Sequence, residues 1–264
     1  MDTNLKGKTA LVTGSSAGIG YAIALELARL GAVVVVNSRT EKRNEEAATK
    51  IRAEVSNAAI RTITADLGTA DGVAALVKQL PAVDILVNNV GIFEPKDFFS
   101  IPDEDWMRFF EVNVMSGVRL SRAYIPAMEK AGWGRVVFIS SESGQQIPTE
   151  MIHYGMTKTA QIAIARGLAE GVKDARVTVN SVLVGPSASE GVSIFVDQLA
   201  KEQGISTAEM EKRFFESARP TSVLQRFIKP EEVANMVAYL CTPAASATTG
   251  TAVRVDGGVV RSIL

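Results

Sequence analysis

Short runs of apolar, β-branched residues alternate with longer stretches of helical spacing along most of the chain. Candidate strands are Thr9–Thr13, Val33–Asn37, Arg61–Ala65, Ile85–Asn88, Arg135–Ser140, Thr178–Val182 and Ala252–Val255. Between them the spacing predicts helices near 18–30, 41–56, 70–79, 103–130, 152–172 and 230–241. An unbroken run such as Val33-Val34-Val35-Val36 suits a strand covered on both faces, as strands are in a parallel sheet packed between helices. The alternation therefore predicts an α/β fold with a doubly wound parallel sheet of about seven strands and right-handed crossovers.

One segment, Ser187 to Phe227, departs from the alternation and is too long for an ordinary connection. Val192, Phe195, Val196 and Leu199 fall on helical spacing, and Met210, Phe214 and Phe215 mark a second helix after Gly204. Two amphipathic helices packed on the body or on another subunit is the plain reading; a cover over a substrate is the functional one. With no Pro/Gly/Ser-rich linker and no internal repeat, the expectation is one domain over 1–264 with 187–227 as a lid insertion.

Composition narrows the function. The 264 residues are 47% hydrophobic, enough for a large core, and the formal net charge of −1 offers no field for nucleic acid or an anionic membrane. The opening MDTNLKGKTA has no apolar core of a signal peptide, and no apolar run approaches the roughly 18 residues of a membrane span. A single cysteine, Cys241, rules out an internal disulfide and fits a reducing cytoplasm. One cysteine and one histidine also argue against a structural zinc site, so no metal is expected.

Two clusters carry chemistry. Gly14, Gly18 and Gly20 lie in Thr13-Gly14-Ser15-Ser16-Ala17-Gly18-Ile19-Gly20, between the first strand and the first helix. Glycines there permit a tight turn and close approach of a pyrophosphate to the helix N-terminus, the Rossmann arrangement. The second strand ends Asn37-Ser38-Arg39, with no acidic residue from 37 to 40 to hydrogen-bond ribose hydroxyls. Arg39 instead offers a planar cationic fork for a 2′-phosphate, supplemented by Lys42 and Arg43, which favours NADP(H) over NAD(H).

The second cluster is Ser141, Tyr154 and Lys158. Tyr154 and Lys158 are four apart, so a helix starting near Ile152 puts phenol and ammonium on one face. A cation beside a tyrosine is expected to lower its pKa from about 10, equipping it to exchange a proton with an oxygen. His153 is the neighbouring temptation, but adjacent helical residues diverge by about 100°, so it faces elsewhere.

In these motifs and their order the chain resembles the classical short-chain dehydrogenase/reductase family, loosely its 3-oxoacyl-acyl-carrier-protein reductase-like members. The glycine turn, Asp66-Leu67, Asn88-Asn89-Val90-Gly91, Asn113, Ser141, Tyr154, Lys158, the stretch from Asn180 to Pro186 and Asp256-Gly257-Gly258 carry the likeness over almost the whole length. The resemblance implies catalytic roles for Asn113, Ser141, Tyr154 and Lys158. Tyr154 would be the general acid/base, Ser141 would bond the substrate oxygen, and Asn113 would hold a water linking Lys158 to solvent. It implies cofactor contacts at Gly14, Ser16, Gly18, Ile19 and Gly20, at Ser38 and Arg39, at Asp66 and Leu67, at Asn89, Gly91 and Gly185, and at Tyr154 and Lys158. It also implies a homo-oligomer, tetramer or dimer. Two departures stand out: Val90 replaces the usual alanine, and Val184 replaces the proline expected before Gly185, which predicts a looser loop.

The implied activity is hydride transfer between a nicotinamide and a small-molecule carbonyl or alcohol. Gly91–Phe99, Glu142–Met151 and the 187–227 segment are the expected substrate walls, and Phe93, Phe98, Ile147, Met151 and Phe195 predict a mostly apolar pocket. Arg213, Arg219 and Arg226 are candidates for an anionic carrier, with solvated surface charge as the plain alternative. Rival readings are a same-fold epimerase or dehydratase and a catalytically silent nucleotide-sensing module.

Overall fold

The computed structural model describes residues 1–174, 176–188 and 190–263, with the side chains at 190, 191 and 195 also outside the described set. The expectation that Phe195 lines the pocket therefore lies outside the described residues. The strands are β1 (Thr9–Val12), β2 (Val33–Ser38), β3 (Ile60–Thr64), β4 (Ile85–Asn88), β5 (Gly134–Ser141), β6 (Val177–Val184) and β7 (Ala252–Val255). They form a single sheet in the order β3-β2-β1-β4-β5-β6-β7, with every neighbouring pair parallel. All seven expected strands are present, and the largest difference in a boundary is two residues, at the end of β6.

Side chains of successive strand residues point to opposite faces, and the two cores follow that division. Ala10, Val12, Val34, Val36, Ile85 and Val87 belong to one core, with α1 (Gly18–Arg29), α2 (Glu41–Glu54) and α9 (Pro230–Cys241). Leu11, Val35, Leu86, Val136 and Phe138 belong to the other, with α3 (Ala70–Gln79), α5 (Ser116–Ala131) and α6 (Ile152–Gly171). The four valines of β2 are apolar in succession because helices cover both faces.

Two expectations change. Val184 does not open a loose loop: it is the buried last residue of β6, in register with Ser141 and Val255. A β-branched residue with an intact N–H continues a strand that proline would end. The predicted helix over 103–130 is also divided. It comprises α4 (Asp103–Phe110), a wide π turn at Glu111–Met115, and α5. Such turns carry one extra residue and often mark functional positions; this one contains Asn113.

The 187–227 excursion contains α7 (Glu190–Gln203) and α8 (Thr207–Ser217). Val196, Ala200 and Met210 form a small core of their own, with Val192, Leu199, Ile205 and Phe227 against it. The ends of the excursion meet: Ile228 donates to the Pro186 carbonyl at 2.8 Å, and Ala188 to the Ile228 carbonyl at 2.9 Å. The chain thus leaves the sheet after β6 and returns to the place it left.

Candidate active site

The strand order reverses between β1 and β4, and a cleft of about 550 Å³ opens at the ends of these strands. Its floor is the glycine turn. Gly14 and Gly18 have φ of +62° and +57°, a region that L side chains avoid. Gly20 is required for space, because a Cβ there would stand 2.6 Å from Asn89 Nδ2. Asn89 Nδ2 in turn donates to the carbonyls of Thr13 at 2.9 Å and Gly14 at 3.1 Å, stapling the turn to the end of β4. Val90 packs against the same turn, its Cγ2 3.2 Å from where a Gly14 Cβ would be, so the extra bulk is accommodated by glycine. No side chain among the described residues caps α1, whose N-cap is Ala17. That end therefore presents N–H groups and the positive end of a helix dipole to the cleft, which fits a pyrophosphate.

Of the residues expected to meet the cofactor, Gly14, Ser16, Ser38, Arg39, Asp66, Leu67, Asn89 and Gly91 line this cleft. Gly18, Ile19 and Gly20 form the first turn of α1 behind it. Gly185 lies elsewhere, against the Asp256 backbone, and donates to the Val255 carbonyl at 2.9 Å. Arg39 is exposed at the rim, and Arg43 lines the same cleft. Lys42 does not join them; it faces Glu46 across one helical turn at 4.0 Å. Asn37 is a structural member that the sequence reading passed over. It is buried, accepts from Gly14 N at 3.4 Å and donates to the Ile63 carbonyl at 3.0 Å, tying the glycine turn to β3 through β2.

Beyond Gly91 the four catalytic candidates come together. α6 starts at Ile152 and carries Tyr154 and Lys158 on one face, with Lys158 Nζ 5.5 Å from the Tyr154 ring centre. A side chain begun at Gly91 would reach within 3.6 Å of Lys158 Nζ and 3.5 Å of Asn113 Oδ1. Asn113 is buried and clamps the loop after β4, accepting from Ile92 N at 2.7 Å and donating to Ile92 O at 2.9 Å. Burial lowers the Lys158 pKa to about 8. The Tyr154 phenol departs from expectation: burial first, then the nearby Glu142 carboxylate, hold it above its ordinary 10. The Ser141 hydroxyl and the Arg219 charge oppose these effects without reversing them.

Ser141, the last residue of β5, has its Oγ between several groups. It donates to Glu142 Oε2, lies 3.3 Å from the Val184 carbonyl and accepts from Ser143 N at 3.1 Å. Glu142 is buried, and its other oxygen receives Arg219 Nε at 2.9 Å. Arg219 also reaches Glu150 at 3.2 Å. Ser141 therefore sits between the Glu142 carboxylate and the Tyr154 phenol, and the arginine that neutralises the carboxylate comes from the end of the 187–227 excursion. Sequence spacing carries no sign of this pair. The three arginines proposed for an anionic carrier are all engaged: Arg213 with Glu209 at 3.2 Å, Arg219 as above, and Arg226 with Glu232 at 2.7 Å.

The remaining candidates have structural partners. Ser140 Oγ donates to the Lys158 carbonyl at 2.8 Å and ties α6 to β5. His153 is fully buried, with its ring 4.1 Å from that of Phe109 and 5.9 Å from that of Trp106. Neither of its nitrogens has a hydrogen-bond partner among the described residues, and burial depresses its pKa, favouring the neutral ring. Asp84 accepts from Thr9 N at 2.8 Å and pairs with Lys8. The expected substrate walls do approach one another: Lys96 N donates to Glu150 O at 2.9 Å, and Phe93 meets the Tyr154 ring edge-on at 6.4 Å. Phe93, Phe98 and Ile147 are half exposed there, while Glu142 and Arg219 make the interior more polar than expected.

Comparison with known proteins agrees with this architecture. A family model described as enoyl-(acyl carrier protein) reductase matches residues 14–260. The uncharacterized oxidoreductase YvaG of Bacillus subtilis is 48% identical over 263 residues, covering 100% of both chains. The 3-oxoacyl-[acyl-carrier-protein] reductase FabG of Pseudomonas aeruginosa is 33% identical, covering 98% of this chain and 100% of its own. The crystal structure of L-sorbose reductase from Gluconobacter frateurii, complexed with NADPH and L-sorbose, superimposes with a TM-score of 0.94 at 31% identity over 100% of both chains. The chain belongs to the classical short-chain dehydrogenase/reductase family and is an oxidoreductase.

Proposed function

We propose that this enzyme interconverts a ketone and a secondary alcohol with NADP(H), Tyr154 giving the proton in reduction and taking it back in oxidation. The observation that carries the reading is the convergence of Tyr154, Lys158 and Asn113 beside Gly91 at the end of the nucleotide cleft, with the Ser141 hydroxyl interacting with the Tyr154 phenol. When bound, the nicotinamide supplies or accepts the hydride. The chain's own residues handle the proton and the oxygen. A phenol held above its ordinary pKa is protonated at neutral pH, as a general acid for carbonyl reduction must be. Lys158, with a pKa near 8, is still largely an ammonium there and favours negative charge developing on the phenol oxygen. Ser141 borders the same space and bonds the substrate oxygen. Asn113 fixes the Ile92 loop that walls it.

Arg39 at the rim supports NADP(H) over NAD(H), as does the NADPH held by the L-sorbose reductase relative. A neutral substrate is favoured, because Arg213, Arg219 and Arg226 are each neutralised by carboxylates. We read 1–264 as one domain with 187–227 as its lid, a view supported by the joined ends of the excursion and by Arg219 at the catalytic serine. Apolar Phe98, Phe99 and Met107 left exposed support a homo-oligomer. A cytoplasmic setting agrees with the lone buried thiol and with the absence, among the described residues, of a helix able to cross a membrane.

The test is NADPH and NADH consumption across neutral hydroxyketones, simple ketones and 3-oxoacyl thioesters, with the alcohol product identified. Tyr154→Phe is expected to lower kcat about a thousandfold while NADPH still binds. Product formed without net change in NADPH would favour an epimerase or dehydratase. A Tyr154→Phe variant as active as the parent would end the proposed mechanism.

A further inference from the structure

Lys158 does not simply project from α6 toward the cleft. Its Nζ donates to the Ile139 carbonyl of β5 at 2.9 Å and to Gln161 Oε1 at 3.1 Å. Gln161 stands one turn further along α6 and is 1% exposed. Its amide donates from Nε2 to the main-chain carbonyl of Asn113 at 2.6 Å. Gln161 thus joins Lys158 to the main chain of Asn113, the residue that the family resemblance has holding a water between Lys158 and solvent. The π turn matters to this contact, because a widened turn disturbs the regular i→i−4 ladder and frees a carbonyl for an outside donor. From Asn113 the network continues through Nδ2 to Thr157 Oγ1 at 3.0 Å, and from that hydroxyl to the Tyr154 carbonyl at 2.7 Å.

We propose that Gln161 is a positioning residue for the reaction, holding the Lys158 ammonium against β5 and the Asn113 turn with its third N–H directed to the cleft. The inference rests on the assignment of Tyr154 and Lys158 to proton transfer. An amide suits the task because it satisfies an ammonium and a carbonyl together, one with its oxygen and the other with its NH2 group. A water in that place has to be immobilised; Gln161 is fixed by the fold before substrate arrives. Among the described residues, its oxygen is also one of two acceptors that favour the charged form of a lysine out of reach of solvent.

Charged groups around the ammonium do not replace this support. Tyr154 is the titratable neighbour on α6. Glu142, after β5, is committed to Arg219, and Glu111 of the π turn to Arg119 at 2.7 Å. The loop after β4 presents the uncharged Gly91 and Ile92, and β6 has no ionisable side chain between Val177 and Val184. Glu94 further along that loop is taken by Arg108 at 3.1 Å.

Gln161→Met keeps the length of the side chain and removes both polar contacts, whereas Gln161→Glu gives the ammonium a carboxylate. An acceptor to a charged group typically governs one to two pH units, or about a tenfold effect or more. In reduction, the alkaline fall in kcat is expected near pH 8 for the parent, at least one unit lower for Gln161→Met, and higher for Gln161→Glu. Gln161→Met should also lose about tenfold in kcat at pH 7 with KM for the carbonyl within about twofold. A second readout needs no turnover: NMR titration of 13Cε-labelled lysines in the nucleotide-free protein, with Lys158 assigned by its loss in Lys158→Met. The Lys158 midpoint should move down in Gln161→Met and up in Gln161→Glu. Thermal melts identify which variants are folded, and either folded variant suffices. An unmoved Lys158 midpoint overturns the proposal. If no carbonyl is reduced by the parent while the midpoints move as expected, the proposed reaction fails and the positioning of Lys158 stands.

Discussion

At the glycine turn the backbone forms the site. Gly14 and Gly18 adopt left-handed conformations, Gly20 leaves room for Asn89, and the uncapped end of α1 faces the cleft. At Ser141 side chains form it. Glu142 meets Arg219 from 77 residues away, Asn113 meets Gln161 from 48, and Asn113 clamps Ile92 from 21. A backbone site depends on a few local residues and hardly at all on charge. The proposed catalytic side depends on buried polar groups satisfying one another across distant segments, so the loss of one strands its partner in a medium that cannot solvate it.

The largest expected effect follows from that asymmetry. Glu142→Leu leaves Arg219 buried without its main counter-charge and is expected to cost about 3 to 5 kcal/mol in urea unfolding. The double variant Glu142→Leu/Arg219→Leu should recover most of the loss, because two apolar groups replace the pair. A single-variant loss below about 1 kcal/mol would mean that water reaches the pair, and the contrast with the glycine turn would collapse. The milder Glu142→Gln removes a charge that helps to hold Tyr154 up. The phenol pKa should then fall, and alcohol oxidation should extend to lower pH.

On the backbone side, Gly20→Ala places a methyl against Asn89 Nδ2 and the Gly14 carbonyl, neither of which can move without opening the turn. Overpacking of this kind costs about 3 kcal/mol at its upper end. The loss should appear both as a lower melting temperature and as weaker NADPH binding in fluorescence titration. If Gly20→Ala binds NADPH like the parent, the close approach has no bearing on the cofactor.

The same division explains what the sequence conveyed. The inner strands were legible because short β-branched apolar runs suit strands covered on both faces, with β2 and its four valines the plainest, while the partly exposed edge strands β3 and β7 were read from their place in the alternation. The glycine turn was legible because left-handed φ and close approach select one residue type. Tyr154 and Lys158 were legible because helical spacing places them together. The π turn was not: Glu111–Met115 keeps an ordinary helical composition, and only the distant Ile92 and Gln161 give Asn113 reason to distort it. Arg219 was read among the surface arginines because nothing near it in the chain indicates Glu142. Val184 misled because proline's absence was read as slack, whereas the register with Ser141 and Val255 supplies the order.

Cofactor choice sharpens the comparison at the edge of the nucleotide half. Arg39 is exposed, so its value lies in binding and not in stability. Arg39→Asp should weaken NADPH about thirtyfold, near 2 kcal/mol, by exchanging a charge-assisted contact for repulsion of a 2′-phosphate. NADH should gain, since a carboxylate there can accept from ribose hydroxyls. Melting temperature should hardly change. Equal loss for both cofactors would assign Arg39 to the general architecture of the cleft instead.

Lys158 gives the smallest effect and the most direct view of burial on the catalytic side. Its folded pKa of about 8 lies below the roughly 10.4 of an exposed lysine, so between these values the unfolded chain binds more protons than the native one. Stability from this group therefore rises with pH across that window and levels off at its lowest below 8, where the buried amine is charged in both states. Raised tyrosines and Cys241 act in the opposite direction at alkaline pH, so the total stability does not isolate Lys158. The difference between the parent and Lys158→Met does, because contributions common to both cancel. From pH 7 to pH 9 the parent should gain about 1 kcal/mol relative to Lys158→Met in paired urea unfolding curves. A flat difference would mean that the Ile139 carbonyl and Gln161 compensate fully for burial, and that Lys158 is held as comfortably as a lysine in water.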